Sequence, residues 1–107
     1  MYQMRLDEVF GALADPTRRR MVERLARGRR SIGDVAEGLP ISQPAVSKHV
    51  KVLERSGLIR RSIDGRVHYL ELAPDAMRSA SAWLERQRKY WQQALDRLDV
   101  ILSEEGA

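Results

Sequence analysis

Apolar residues in the first quarter of the chain recur at the spacing of two short helices. In the first, over about residues 5–14, they fall at positions i, i+3, i+4 and i+7: Leu6, Val9, Phe10 and Leu13. This spacing places them on one face of a helix. Asp15 before Pro16 then favours a second helix, because Asp caps helix N-termini and proline is tolerated at the first helical position. Gly28 ends this helix, whose apolar stripe is Met21, Val22 and Leu25.

Two further helices are predicted before the middle of the chain ends. Ser31 followed by Asp34 resembles a capping box, and the apolar residues after Ser31 predict a third, very short helix. Ser42 is the next cap, and Gly57 is typical of the position that follows a helix end. The fourth helix is therefore predicted over about residues 42–56.

A hairpin and a long helix complete the pattern. Two β-prone runs, together residues 59–72, flank Asp64-Gly65, a dipeptide that supplies the positive φ angles of a tight turn. From residue 74 to about 104 the sequence is helical again, without internal Gly or Pro. The predicted fold is mainly α with a small β-hairpin, in the order α-α-α-α-β-β-α, which is a winged helix-turn-helix. Residues 1–107 are expected to form a single domain, because 43% apolar residues in so short a chain support one modest core.

Charge is segregated along the chain. Between Pro16 and Arg66 there are 13 Lys and Arg against 5 Asp and Glu, whereas the remaining residues hold 6 against 10. The basic middle therefore has a net charge of +8, and the two ends together have −4. Such a segment indicates a face that binds a polyanion. A solvated, arginine-rich surface is the alternative.

The composition excludes several classes of protein. Without cysteine the chain has no disulfide, thiolate metal site or thiol nucleophile. The apolar runs are short and broken by charges, so no membrane span and no signal-peptide segment is expected, and the protein is expected to be cytoplasmic. Because no phosphate-binding glycine loop, metalloprotease helix or nucleophile elbow occurs, we expect neither a cofactor nor enzymatic activity.

The fourth predicted helix has the polarity that reading DNA requires. At about 100° per residue, Val46, Val50 and Leu53 share one side and polar residues share the other. Hydrogen-bonding side chains at the start of such a helix reach base edges in the major groove, and longer basic ones reach phosphates. The predicted DNA contacts from this helix are Ser42, Gln43, Pro44, Ser47, Lys48, His49 and Lys51. An ordinary amphipathic surface helix is the alternative for this segment alone.

The predicted hairpin of residues 59–72, here named the wing, is basic as well. Arg60, Arg61 and Arg66 lie around its turn, where they can follow the DNA backbone or enter the minor groove. The alternative is that these charges only protect an exposed sheet edge from pairing with another chain.

The last predicted helix carries a seam of apolar residues. Steps of three and four positions place eight residues on one side: Met77, Ala80, Leu84, Gln87, Trp91, Ala94, Leu98 and Ile101. Trp83 and Tyr90 widen this seam, and so broad a stripe exceeds what a small core covers. We therefore expect these residues to form a homodimer interface. A helix that folds back on its own domain is the alternative, and an apolar pocket lined by the aromatic residues is an alternative to their packing.

Three segments give the chain a resemblance to a known family. They are ADPTR at 14–18, ISQPAVSKH at 41–49 and LERSGLI at 53–59. Together with the basic hairpin, they resemble the ArsR family of transcriptional regulators over nearly the whole chain. The resemblance implies a homodimer that binds an inverted repeat in double-stranded DNA, usually as a repressor that an inducer releases. It also implies that the first and last helices form the dimer interface together, which adds Leu6 and Phe10.

Metal-sensing members of the resembled family carry ligands that this chain lacks. They have a Cys-Val-Cys-type site before the recognition helix, or Asp and His ligands in the last helix. Here the matching stretch is DVAE at 34–37, and the last helix has no His. Because carboxylates without imidazole bind transition metals poorly, we expect no metal site. His49 and His68 are interpreted as packing or phosphate-contacting residues, and a small-molecule inducer stays unidentified. The alternative function is a winged-helix protein-interaction module that binds no DNA.

Overall fold

The computed structural model describes the backbone of residues 2–106 and the side chains of residues 6–105. Its elements are α1 (Tyr2–Leu13), α2 (Pro16–Leu25), β1 (Arg30–Ser31), α3 (Ile32–Ala36), α4 (Gln43–Arg55), β2 (Ile59–Asp64), β3 (Val67–Leu72) and α5 (Pro74–Gly106). The predicted fold class, mainly helical with an antiparallel hairpin and a long last helix, is confirmed. The predicted order holds with one addition, the strand β1. The single domain over residues 1–107 reaches past the described residues at both ends and stays a prediction.

Side-chain caps explain where three of the helices begin. The Asp15 carboxylate accepts a hydrogen bond from the backbone N–H three residues later, at 3.0 Å, and starts α2. Ser31 Oγ does the same for α3 at 3.1 Å, and Ser42 Oγ does so for α4 at 3.3 Å. Each bond satisfies an amide that has no acceptor within its own helix. The start of α4, and with it the direction of the helix tip, is therefore encoded locally.

Two glycines determine how the chain leaves α4 and turns in the wing. Gly57, which follows the end of α4, has a φ of 82°, and Gly65, in the turn between β2 and β3, has a φ of 64°. A residue with a Cβ is strained in this left-handed region. Glycine therefore lets the wing follow α4 after a sharp change of direction.

The three strands form one antiparallel sheet in the order β1-β3-β2. Tyr69 of β3 lies between Ser31 on one side and Ser62 on the other. The sequence does not predict β1, because two residues carry no alternating pattern. This strand forms because β3 lies beside it, and it fixes the start of α3 against the wing.

The core lies where α1, α2, α4 and the start of α5 meet the wing. Its buried hydrophobic residues are Leu6, Val9, Ala12, Met21, Val22, Leu25, Val35, Val46, Val50, Leu53, Leu58, Ile59, Leu70, Ala76 and Ala80. Leu6 and Ala80 were expected at a dimer interface, but they are only 6% and 4% exposed. Since their side chains are already covered by their own chain, they are reassigned from the interface to the core.

The first part of α5 packs on this core, and the rest projects from it. Phe10 of α1 meets Trp83 of α5 edge to face, with ring centroids 5.5 Å apart. Beyond Trp83, every described side chain of α5 except the half-buried Gln87 is exposed. The described part of the chain is accordingly elongated, with extents of 68 × 32 × 22 Å.

Candidate nucleic-acid interface

Helix α4 presents a hydrophilic face at the surface. Its apolar residues Val46, Val50 and Leu53 are at most 3% exposed and anchor it in the core. On the other side, four residues predicted to contact DNA are exposed: Pro44, Ser47, Lys48 and Lys51. Gln43, also exposed, is the first residue of the helix. This polarity is the one that entry into a major groove requires.

Two other residues predicted to contact DNA have partners within the molecule. Ser42 is exposed, but its Oγ accepts the capping hydrogen bond of α4. The His49 side chain is 19% exposed, and its Nδ1 lies 4.0 Å from Oδ2 of Asp15 and 3.2 Å from Nη1 of Arg18. The structure thus places His49 against the junction of α1 and α2 and away from the hydrophilic face of α4.

The Asp15 carboxylate belongs to the same cluster. The hydrogen bond from the Arg18 backbone N–H lowers the pKa of Asp15 below its usual value, and the neighbouring positive charges act in the same direction. Partial burial opposes both effects without cancelling them. Asp15 is therefore ionised at neutral pH, which is the form that caps α2 best.

The three arginines of the wing have different surroundings. Arg66 is exposed next to the turn. Arg60 is 65% exposed, and its Nη2 lies 3.8 Å from Oε1 of Glu71 on the neighbouring strand. Arg61 instead donates two hydrogen bonds to the Glu54 carboxylate of α4, at 2.6 Å and 3.3 Å. Arg60 and Arg66 are available to a ligand, whereas Arg61 joins the wing to α4.

A groove of about 480 Å³ separates the start of α3 from the wing. It is lined by Ser31, Ile32, Gly33, Arg61, Arg66, Val67 and His68. The His68 ring faces Arg61, with 3.1 Å between its Nδ1 and Nη1 of the arginine. Guanidinium groups beside a hydroxyl suit an anionic chain such as a nucleic-acid backbone.

Arg29 supports the wing from the connection between α2 and β1. Its guanidinium carbon lies 3.9 Å from the centre of the Tyr69 ring, and its Nη2 donates to Ser62 Oγ at 3.2 Å. The sequence pattern does not predict this contact, because Arg29 and Ser62 are 33 positions apart. The hairpin register is the signal that could reveal this contact, because Ser62 and Tyr69 are cross-strand partners and Arg29 contacts both.

The far part of α5 exposes many large apolar side chains. They are Leu84, Tyr90, Trp91, Leu95, Leu98, Val100, Ile101 and Leu102. Five of them lie within about 60° of arc at about 100° per residue, and we name them the α5 stripe: Leu84, Trp91, Leu95, Leu98 and Leu102. Val100 lies on the opposite side of the helix.

The α5 stripe differs from the predicted seam in a regular way. Steps of three and four residues drift by about 20° per heptad on a straight helix. The predicted seam starts at Met77, which packs against the core. At Ile101 it has therefore rotated away from the α5 stripe around the helix, so it does not include Leu95 and Leu102. Of the predicted interface residues, Phe10, Met77, Trp83 and Gln87 are half-buried, whereas Leu84, Tyr90, Trp91, Ala94, Leu98 and Ile101 are exposed.

Comparison with known proteins identifies the family. A model of the helix-turn-helix domain matches residues 13–62. The HTH-type transcriptional regulator Rv2034 of Mycobacterium tuberculosis is 38% identical over 100 residues, which cover 94% of this chain and 91% of that protein. The crystal structure of an ArsR family transcriptional regulator superposes with a TM-score of 0.78 at 36% identity, over 86% of this chain and 95% of that one. The chain belongs to the ArsR family. A further relative, the transcriptional repressor SdpR of Bacillus subtilis, is 32% identical over 79 residues, or 74% of this chain and 88% of that protein.

Membership in the ArsR family makes the chain a DNA-binding transcriptional regulator with a winged helix-turn-helix. The resemblance seen in the sequence is thereby confirmed. Among the side chains that the structure describes, His, Asp and Glu form no group of three that could hold a metal ion. None of the described helices has the length and apolar character that crossing a bilayer requires.

Proposed function

We propose that this ArsR-family protein is a repressor that binds an inverted-repeat operator as a homodimer. Each subunit places the hydrophilic face of α4 in one major groove. The observation that carries the proposal is the exposure of this face beside an open basic wing, while the opposite side of α4 is buried. A relative that covers most of this chain, SdpR, is a transcriptional repressor.

Base reading is assigned to the start of α4. Gln43 at the helix tip has an amide that can make two hydrogen bonds to one adenine edge. Ser47, one turn later, is small enough to let the helix approach the bases closely. Lys48 and Lys51 have long side chains that reach phosphates on either side of the groove. All four side chains are exposed, so binding requires no rearrangement of the core.

Backbone binding is assigned to Arg60, Arg66 and the groove between α3 and the wing. A phosphate that enters this groove meets the guanidinium of Arg66 and the hydroxyl of Ser31, which the wing and the start of α3 bring together. His49 and Arg61, which the sequence placed among the DNA contacts, are assigned a supporting role, because each is already bonded within the chain.

Homodimer formation is assigned to the α5 stripe. Its side chains are between 49% and 68% exposed, although apolar surface of this extent is rarely left in water. A second copy covers it economically, since a two-fold axis brings the same stripe on both subunits together. Two recognition helices then lie about 34–36 Å apart, which is one turn of B-DNA.

Selection from a genomic fragment library, followed by footprinting, tests the proposal. We expect the purified protein to recover fragments that contain an inverted repeat and to protect both half-sites. Replacing Lys48 and Lys51 by alanine removes charges from the hydrophilic face of α4 and is expected to abolish recovery. The matched control replaces Arg86 and Lys89, which are exposed cations of α5. Recovery of no symmetric sequence, or equal loss in both double variants, would sink the proposal.

A further inference from the structure

Arg18 joins α2 to the end of α1. Its Nε donates to the Ala12 carbonyl at 2.6 Å, and its Nη2 donates to the Gly11 carbonyl at 3.1 Å. Both carbonyls belong to the last turn of α1, where oxygens lack the usual helical donor four residues later, and the Gly11 oxygen also accepts from the Ala14 backbone N–H at 3.2 Å. A cation at this position is favourable, because the helix dipole is negative there. Arg18 therefore caps α1 while belonging to the next helix.

The remaining guanidinium nitrogen of Arg18 contacts α4. Its Nη1 lies 3.2 Å from Nδ1 of His49, and since arginine only donates, Nδ1 must be the acceptor. The Asp15 carboxylate, 4.0 Å from the ring, completes a cluster that we name the α1–α4 clamp: Gly11, Ala12, Asp15, Arg18 and His49.

The opposite flank of α4 is held as well. At about 100° per residue, His49 and Glu54 lie about 140° apart, on either side of the buried stripe that contains Val50. Glu54 is bonded to Arg61 of the wing. Apolar packing determines which side of α4 faces the core, but, being non-directional, it constrains the exact rotation of the helix less tightly than hydrogen bonds do. Two directional contacts on opposite flanks define this rotation.

The clamp also connects α4 to the helix that carries the α5 stripe. From His49 the contacts pass through Arg18 to the last turn of α1. Phe10, in the same part of α1, then meets Trp83 of α5 at 5.5 Å between ring centroids. Trp83 directly precedes Leu84, the first residue of the α5 stripe. An unbroken series of contacts thus runs from the DNA-facing helix to the proposed dimer contact.

We infer that Arg18 and His49 are positioning residues that set the angle of α4 relative to α1, and hence the spacing of half-sites that the dimer accepts. The inference rests on the proposed dimeric DNA binding. Neither side chain needs to touch DNA for this role. If the clamp only stabilised the fold, its loss would lower all affinities together. Because it sets geometry, its loss must reduce the preference for the optimal spacing over the others.

The test measures binding to duplexes in which the two selected half-sites are moved apart or together by about one to three base pairs. Full-chain His49→Leu removes the acceptor, and Arg18→Lys keeps the charge but loses the three-way contact. His49→Asn keeps an acceptor near the position of Nδ1, and Arg20→Lys is the control at an exposed arginine of the same helix. Thermal unfolding and sedimentation establish that each variant is folded and dimeric.

We expect His49→Leu and Arg18→Lys to lose roughly tenfold in affinity at the optimal spacing and to change little at the others, as loss of one charged hydrogen bond predicts. His49→Asn and Arg20→Lys should keep the wild-type profile. If His49→Leu does not fold, Arg18→Lys decides alone. An unchanged spacing profile in the folded variants overturns the inference. If the wild-type protein itself prefers no inverted repeat, the proposed function fails instead, so the two failures are distinguishable.

Discussion

Leu98 and Val100 are similar apolar side chains on opposite sides of the same exposed helix. Leu98 belongs to the α5 stripe and is 49% exposed, whereas Val100 lies outside it and is 57% exposed. Two residues separate them by about 200° around the helix axis. A dimer formed through the α5 stripe buries Leu98 and leaves Val100 in water. Comparing Leu98→Ala with Val100→Ala therefore separates an effect on dimer formation from effects on the helix that both substitutions share.

The expected size of the effect follows from burial. Complete burial of a leucine side chain is worth about 1.5–3 kcal/mol, and roughly half of Leu98 is still exposed in one subunit. Each Leu98 therefore contributes about 1 kcal/mol to the interface, and two-fold symmetry doubles this to about 2 kcal/mol. Since about 1.4 kcal/mol corresponds to tenfold in affinity, Leu98→Ala should raise the Kd of the dimer roughly 30-fold.

Sedimentation velocity over a dilution series measures the dimer Kd of each variant and of the wild type. Val100→Ala should shift the Kd by less than about twofold, because its surroundings do not change on association. Both substitutions introduce alanine, the best helix former, so loss of helix propensity cannot explain weaker association. Equal shifts in the two variants, or no shift for Leu98→Ala, would refute the assignment of the interface to the α5 stripe.

Three other predictions concern α4, the wing and local structure. Gln43→Ala should relax base preference at one operator position by about tenfold in competition binding. Arg66→Ala should instead weaken binding to all duplexes alike and lower the slope of log affinity against log salt concentration by about 1, and an unchanged slope would contradict its phosphate role. Asp15→Ala should lower stability by about 1 kcal/mol at neutral pH. Because folding lowers the pKa of Asp15, this stabilisation is present above the usual carboxyl pKa and is lost as pH falls through the pKa of the folded state. If urea unfolding curves of the wild type and Asp15→Ala stayed apart in strong acid, the prediction would be contradicted. Gly57→Ala should lower the free energy of unfolding by about 1 kcal/mol in thermal unfolding, since the φ of Gly57 is 82°. Gly11→Ala, where an added Cβ meets open space inside α1, should raise it by about 0.5–1 kcal/mol. Equal effects of the two substitutions would falsify the backbone argument.

The parts of the fold that the sequence predicts well are those encoded by neighbouring residues. Ser42 caps α4 through an amide three residues away, so a short string suffices to place the helix. The turn of the wing is equally local, although it lies one residue later than predicted: Asp64 ends β2, and Gly65, which alone supplies the positive φ, forms the turn with Arg66. The buried side of α4 follows from spacing alone. Prediction of the hydrophilic face of α4 therefore needs no knowledge of tertiary contacts.

The parts that the sequence does not predict depend on residues far apart in the chain. His49 lies beside the apolar stripe of α4, but only its bond to Arg18, 31 positions earlier, shows that it faces inward. In the same way, Arg61 is an ordinary basic residue of a wing until Glu54 is placed beside it. Periodicity describes one element at a time and contains no information on which polar groups meet between elements. Sequence patterns alone therefore do not distinguish residues that support the site from residues that contact DNA.

The proposed homodimer couples helix formation in α5 to subunit association. Among the described side chains of α5 beyond Trp83, none is buried in the core. The local contacts there are exposed pairs such as Glu85 with Arg88 and Gln92 with Asp96. Such pairs stabilise a helix only weakly, since most helical stability in proteins comes from tertiary packing. In the proposed homodimer, a second copy that covers the α5 stripe supplies that packing. Association would then order the same helix that, through Trp83, Phe10 and the α1–α4 clamp, leads to the proposed recognition helix, and a separated subunit would lose this order as well as its partner's half-site.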